Sequence, residues 1–288
     1  MSENESRTVR AARRRETDLP PPPEPLAVPV LDSHTHLDIV GDGSLAVAAE
    51  GIAAARAVGV DRLVQVGCDV ASSRWGASLA EAQVAVLATV ALHPNEAPRV
   101  ADLDESLRVI EGLAALPRVR GIGETGLDTF RTGADGRQAQ ETSFRAHIAM
   151  AKRFGKALVI HDRDAHADVL RVLDSEGAPD VVVLHCFSGD VDFARTCVDR
   201  GYVLSFAGTV TFKNAQNLRD AAQITPLTQM LVETDAPYLT PMPYRGRPNA
   251  SYLIPLTVRA LAGAIGRDVD EVCAGISATG ERVFGAWA

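Results

Sequence analysis

From about residue 28 onward the chain repeats one pattern. A short apolar run rich in Val, Leu and Ile is followed by a polar or Gly-containing turn, and then by a longer stretch whose apolar positions recur with helical spacing. The runs begin near Val28, Leu63, Val84, Val119, Ala157, Val181, Tyr202 and Met230. Successive βα units produce this pattern, and eight of them in about 260 residues match a (β/α)8 TIM barrel, whose strands are buried on both faces and so read as nearly continuous apolar runs. An open doubly wound sheet would carry a G-x-G-x-x-G turn after an early strand. No run is followed by one; Gly121 and Gly123 precede the polar residues of their own strand instead of opening a helix. The segment from Ser251 to Ala288 has helical spacing and is expected to close the outer layer.

Residues 1–26 break the pattern. They are polar and charge-mixed, then proline-dense (Pro20 to Pro23, Pro25), a composition that buries too little apolar surface to offset its ordering entropy. They are expected to form a disordered tail, with a single barrel domain over residues 27–288. With 46% hydrophobic and 23% charged residues the chain as a whole has the balance of a soluble globular protein. The formal net charge of -8 argues against a broad electropositive face, although it leaves room for a local basic pocket. The longest apolar run, Val84 to Leu92, is too short for a membrane span. Cys68, Cys186, Cys197 and Cys273 lie far apart, which excludes a zinc finger or a disulfide scaffold, and no apolar signal segment opens the chain. A cytoplasmic protein is expected.

The unusual polar residues fall where the runs end, and in a barrel these ends share one mouth. The first run ends in Asp32-Ser33-His34-Thr35-His36, whose alternation puts Asp32, His34 and His36 on one face. The fourth ends at Glu124, the fifth at His161, the sixth at His185, and the eighth in Glu233-Thr234-Asp235. Each alone reads as a hydrogen-bonded strand end. Four imidazoles and two carboxylates gathered at one mouth are costly to desolvate, and a pair of divalent cations (Mg, Mn or Zn) compensates them. His34, His36 and Asp235 would hold one ion and His161 and His185 the other, with Glu124 bridging. Two such ions indicate hydrolysis by an activated water, and Asp235 is placed to act as its general base.

The motifs Asp32 to Asp38, Leu92-His93-Pro94, Gly123 to Asp128, His161 to Ala165, Leu184 to Gly189, Val210 to Asn214 and Val232 to Tyr238 resemble, in order, those of TatD-type metal-dependent hydrolases. The resemblance extends from about residue 30 to the end. It implies a barrel, a two-metal site on the residues named, and deoxyribonuclease activity, often exonucleolytic from the 3′ end, with single-stranded DNA or 3′ ends as substrate and no obligate protein partner. The tail lies outside the family pattern, and the loop Pro243 to Ser251 departs from it after Asn249, where relatives commonly continue with an acidic residue and a proline.

Three further residues are candidate phosphate binders. Lys213 and Arg245 fall in the loops after strands seven and eight, the usual phosphate-holding region of this fold, and His93 ends strand three. His147 reads as a packed helix residue, His166 as a residue of an exposed helical turn, and Cys186, next to His185, as a thiol facing the helices. Two other functions remain open: a related barrel hydrolase of a small phosphodiester, ester or amide, and a non-catalytic binding module. No lysine ends a central strand, which disfavours hydrolases bridged by a carbamylated lysine, and an intact ligand set disfavours the binding module.

Overall fold

The computed structural model describes residues 18–287. Eight parallel strands follow chain order around one sheet: β1 (Val30–Thr35), β2 (Val60–Val66), β3 (Val86–Val90), β4 (Val119–Asp128), β5 (Ala157–Arg163), β6 (Val182–Leu184), β7 (Val203–Phe206) and β8 (Met230–Val232). The ring closes where Thr35 bridges Ala236 and the Asp235 N–H donates to the His34 carbonyl at 2.9 Å. Every residue of β1 and of β3 is buried, as expected for strands enclosed on both faces.

Between the strands lie α1 (Leu45–Ala57), α2 (Val70–Ala82), α3 (Leu103–Ala114), α4 (Arg137–Phe154), α5 (His166–Glu176), α6 (Val191–Asp199) and α7 (Gln216–Ile224). A long loop after β8 leads into α8 (Ile254–Ile265) and α9 (Val269–Phe284), which complete the outer layer. Ser44, Asp69, Asp102, Asp190 and Asp268 cap the first turns of α1, α2, α3, α6 and α9 by accepting from backbone N–H groups. Each such cap contributes about 1 kcal/mol and fixes where its helix begins.

The strands begin within a few residues of the apolar runs. β2 starts at Val60, earlier than Leu63, because Asp61 and Arg62 interrupt the run while still lying in the strand; they pair with each other at 2.9 Å. β3 starts at Val86, later than Val84, whose side chain is 69% exposed in the preceding turn.

One expectation is corrected. Residues 18–26, assigned to a disordered tail, lie against the barrel, while residues 1–17 lie outside the described residues. Leu26 is buried and its N–H donates to the Val58 carbonyl at 3.0 Å. Arg247 donates to the carbonyls of Asp18 and Leu19, Arg259 to those of Glu24 and Pro25, and the Tyr252 hydroxyl to that of Pro20. Prolines lack N–H donors but keep their carbonyls, and here those carbonyls meet donors from the barrel, an option that composition alone does not reveal.

Candidate metal centre

The strand ends bring six predicted ligands into one cluster. His34 lies inside β1 and His36 one residue beyond it, so alternation turns both rings to the barrel axis. Their Nε2 atoms stand 3.3 Å apart. His34 Nε2 is 3.4 Å from Glu124 Oε2 and 3.8 Å from Asp235 Oδ1, and His36 Nε2 is 3.4 Å from Asp235 Oδ1. The other Glu124 oxygen, Oε1, faces His161 Nδ1 at 2.6 Å, His185 Nε2 at 2.9 Å and His93 Nε2 at 3.4 Å. The two oxygens of one carboxylate are thus divided between two sets of imidazoles.

Glycines permit this. β4 passes close to β5, and a Cβ at Gly126, whose φ is +134°, would lie 2.1 Å from the His161 carbonyl oxygen. A Cβ at Gly123 would fall 2.5 Å from that of Val159. With side chains at either position β4 could not keep the approach that holds Glu124 beside His161.

The donor set fits a divalent ion. Donors around a tetrahedral ion at about 2.1 Å stand roughly 3.4 Å apart, close to the spacing of His34, His36, Glu124 and Asp235. The cluster is nearly closed to solvent, with His34 and His185 stacked at 3.8 Å between ring centroids. His34 Nδ1 and Glu233 Oε2 are buried without hydrogen-bond partners. Ring nitrogens that face one another in a buried site, beside orphaned polar atoms, are stabilised by a cation. Among the described residues three groups could each hold an ion: His34 with His36 and Glu124, His34 with His185 and Glu233, and Glu124 with His161 and His93.

Electrostatics keep the acids ionised. Burial opposes the charge on Glu124, but the nearby His185 and His93 and the hydrogen bonds of His161 and His185 hold its carboxyl well below the usual range. Burial likewise opposes charge on Asp235, and contact with His36, His185 and His34 outweighs it, so this carboxyl is lowered too. Asp32 differs: it shares the His34 face but sits beneath the cluster, accepting from the Thr234 N–H and hydroxyl. Burial pushes its carboxyl up to about 7.

Several supporting residues escaped the sequence reading. Glu233 is fully buried, accepts from the Cys186 N–H at 2.8 Å and faces His185 Nδ1 at 3.1 Å, an arrangement that leaves Nε2 directed at Glu124. Asp128 faces His161 Nε2 at 3.2 Å and accepts from the Asn95 amide at 2.9 Å. Cys68 places its sulfur 3.8 Å from Glu124 Oε2 and 4.0 Å from His36 Nδ1. Carboxylates that orient ligating histidines are a common outer layer of metal sites. Glu233 and Asp128 stood inside recognised motifs, and the two-residue spacing of Glu233 from Asp235 was the available signal.

The candidate phosphate binders divide. His93 lies beside the cluster; its Nδ1 accepts from the Asn95 N–H at 3.0 Å, so a neutral ring carries its proton on Nε2, directed at Glu124. Lys213 and Arg245 are exposed on the loops after β7 and β8. The Arg245 guanidinium lies 4.3 Å over the Phe212 ring, next to Lys213. His147 is buried in α4, facing the Thr125 hydroxyl at 2.8 Å, and burial pulls its imidazole down to about 3. Two discounted residues are corrected. His166 is half-buried, paired with Asp162 at 2.7 Å and stacked on Phe193, because it begins α5 instead of standing out on it. Cys186 does not face the helices: β6 has ended at Leu184, and its backbone turns into the left-handed region (φ 43°), bringing it to the mouth.

A parallel barrel with imidazoles and carboxylates converging at the C-terminal strand ends defines the class of metal-dependent barrel hydrolases. The family model "TatD related DNase" matches residues 31–285. The chain therefore belongs to the TatD family. It is 46% identical over 260 residues to the metal-dependent hydrolase TatD of Mycobacterium tuberculosis, covering 89% of this chain and 98% of that protein. It is 33% identical over 244 residues to the 3′-5′ ssDNA/RNA exonuclease TatD of Citrobacter rodentium, covering 82% and 91%. The crystal structure of the TatD homologue YjjV from Escherichia coli superposes with a TM-score of 0.83 at 24% identity, over 88% of this chain and 97% of that one. Among the described residues no helix is long and apolar enough to cross a membrane.

Proposed function

We propose that the protein is a two-metal phosphodiesterase acting on DNA, with a preference for single strands or 3′ ends. The observation that carries this reading is the division of Glu124, with Oε2 toward His34 and Oε1 toward His161 and His185. His34, His36 and Asp235 would hold one ion (Mg, Mn or Zn), His161 and His185 the other, and Glu124 both. Bound there, the pair would supply Lewis acidity and a water ionisable near neutral pH. Asp235, ionised and more exposed than Glu124 (side chains 15% and 5%), is the carboxylate placed to orient that water and accept its proton. His93 presents an N–H toward the same space, suited to a phosphate oxygen, and Lys213 and Arg245 provide positive charge on the rim. The relative named as an exonuclease on single-stranded DNA and RNA supports a nucleic-acid substrate.

End-labelled single- and double-stranded oligonucleotides incubated with Mg, Mn or Zn test the reading. It expects shortening from the 3′ end that chelator abolishes, and it expects Glu124→Ala to lose metal from both sites after dialysis. Loss of label from neither substrate with any of the ions would overturn it.

A further inference from the structure

Two large aromatic side chains are strongly exposed among the described residues, Phe130 at 64% and Tyr238 at 55%, and both stand on loops at the mouth of the barrel. Aromatic residues make up only 5% of the chain, so their exposure at this one end calls for a cause. Phe130 follows β4 by two residues. Asp128, which accepts from the Phe130 and Arg131 N–H groups at 3.0 and 2.7 Å, is the same carboxylate that faces His161. The ring is therefore tied to the rim of the cluster through one buried side chain. Behind it lies Arg163, the last residue of β5 and two residues past His161, with its guanidinium 4.3 Å from the ring centroid. A bond from the Thr129 N–H to the Arg163 carbonyl at 3.0 Å joins the two loops beneath them. Tyr238 sits on the loop after β8, its ring 6.5 Å from that of His36. In an eight-stranded ring β4 and β8 are opposite, so the two exposed faces flank the cluster from facing walls.

We infer that Phe130, backed by Arg163, and Tyr238 are stacking platforms for the bases of a single-stranded polynucleotide laid across the mouth. The inference rests on the phosphodiesterase reading and adds to it the groups that select a single strand. Stacked faces of a duplex are already occupied by neighbouring bases, whereas those of a single strand are free to pair with an exposed ring. Every base has such a face, so the platforms tolerate any sequence. Arg163 serves twice, holding the ring by a cation–π contact and leaving a fixed charge for a phosphate. The Arg245–Phe212 pair does not repeat the device, because Phe212 is partly buried and packs on the core.

The test uses the full metal-loaded chain and a phosphorothioate single-stranded oligonucleotide carrying 2-aminopurine, whose fluorescence falls on stacking. Phe130→Ala is expected to weaken binding about tenfold and to relieve the quenching, as loss of one stacked base does. Phe130→Trp should restore both, which a merely structural role for the side chain would not predict. Arg163→Gln should weaken binding and reduce its salt dependence. Val84→Ala, an exposed apolar change at the opposite end of the barrel, serves as control. Wild-type affinity and full quenching in Phe130→Ala would overturn the inference, as would failure of the wild-type chain to bind the strand. A chain that shows Phe130-dependent binding yet cleaves no unmodified oligonucleotide would instead sink the phosphodiesterase reading and leave the platforms standing.

Discussion

Glu233 and Asp235 are two residues apart, and regular strand alternation would send both carboxylates to one face. They part because β8 ends at Val232 and the backbone at Asp235 enters the left-handed region, with φ 54°. Glu233 remains beneath His185 while Asp235 is carried to the mouth beside His36. Both acids are visible in the sequence but this turn is not, so alternation alone does not separate the buried one; the histidines, by contrast, lie in or beside regular strand where alternation holds. The left-handed backbone also makes the decisive substitution clean. Asparagine tolerates that conformation at least as well as aspartate, so Asp235→Asn keeps the loop and one oxygen while removing the carboxylate proposed as the base. It is expected to lower kcat on the order of 10²-fold or more, with KM for an oligonucleotide unchanged or reduced because one negative charge is gone. Steady-state kinetics together with metal content after dialysis check this; a near-normal kcat at full metal content would leave Asp235 as a ligand only.

At the scale of elements, the eight βα units were legible because buried parallel strands have no polar face to disguise them. Boundaries blurred where polar residues enter a strand, as at Asp61 and Arg62, or where an apolar residue occupies a turn, as at Val84. The packing of Asp18 to Leu26 is hidden from the sequence for a different reason. Its contacts are made by donors more than 200 residues away, Arg247, Tyr252 and Arg259, which no local window contains. Leu26 adds a buried apolar side chain, and burial of one leucine stabilises by about 2 kcal/mol. Deleting residues 1–26 is therefore expected to lower Tm by about 5 °C, given roughly 2–4 °C per kcal/mol for a domain of this size. Deletion stopping at residue 17 retains all of these contacts, and the two truncations compared by thermal unfolding separate the packed segment from what precedes it. Equal melting temperatures would mean that residues 18–26 contribute nothing to stability.

The whole molecule carries 37 acidic against 29 basic side chains, a formal charge of -8, which repels a polyanion at long range. In the proposed reading, affinity for a single strand would come from the mouth, where Arg131, Arg163, Lys213 and Arg245 are exposed and the candidate metal centre lies below them. Only a few phosphates can be neutralised by so small a set. With two or three contacts at about 0.7 counterion each, log K should fall with log salt with a slope of roughly -1.5 to -2, far shallower than for proteins that coat nucleic acid with a basic face. Lys213→Ala and Arg245→Ala should each flatten that slope by about 0.7 and weaken binding to all sequences alike, with metal content unchanged. Titrations of a phosphorothioate strand across a salt series, in wild type and each variant, measure the slopes directly. A steep wild-type slope would require a basic surface beyond these residues, and slopes unmoved in both variants would take the phosphate contacts away from the loops after β7 and β8.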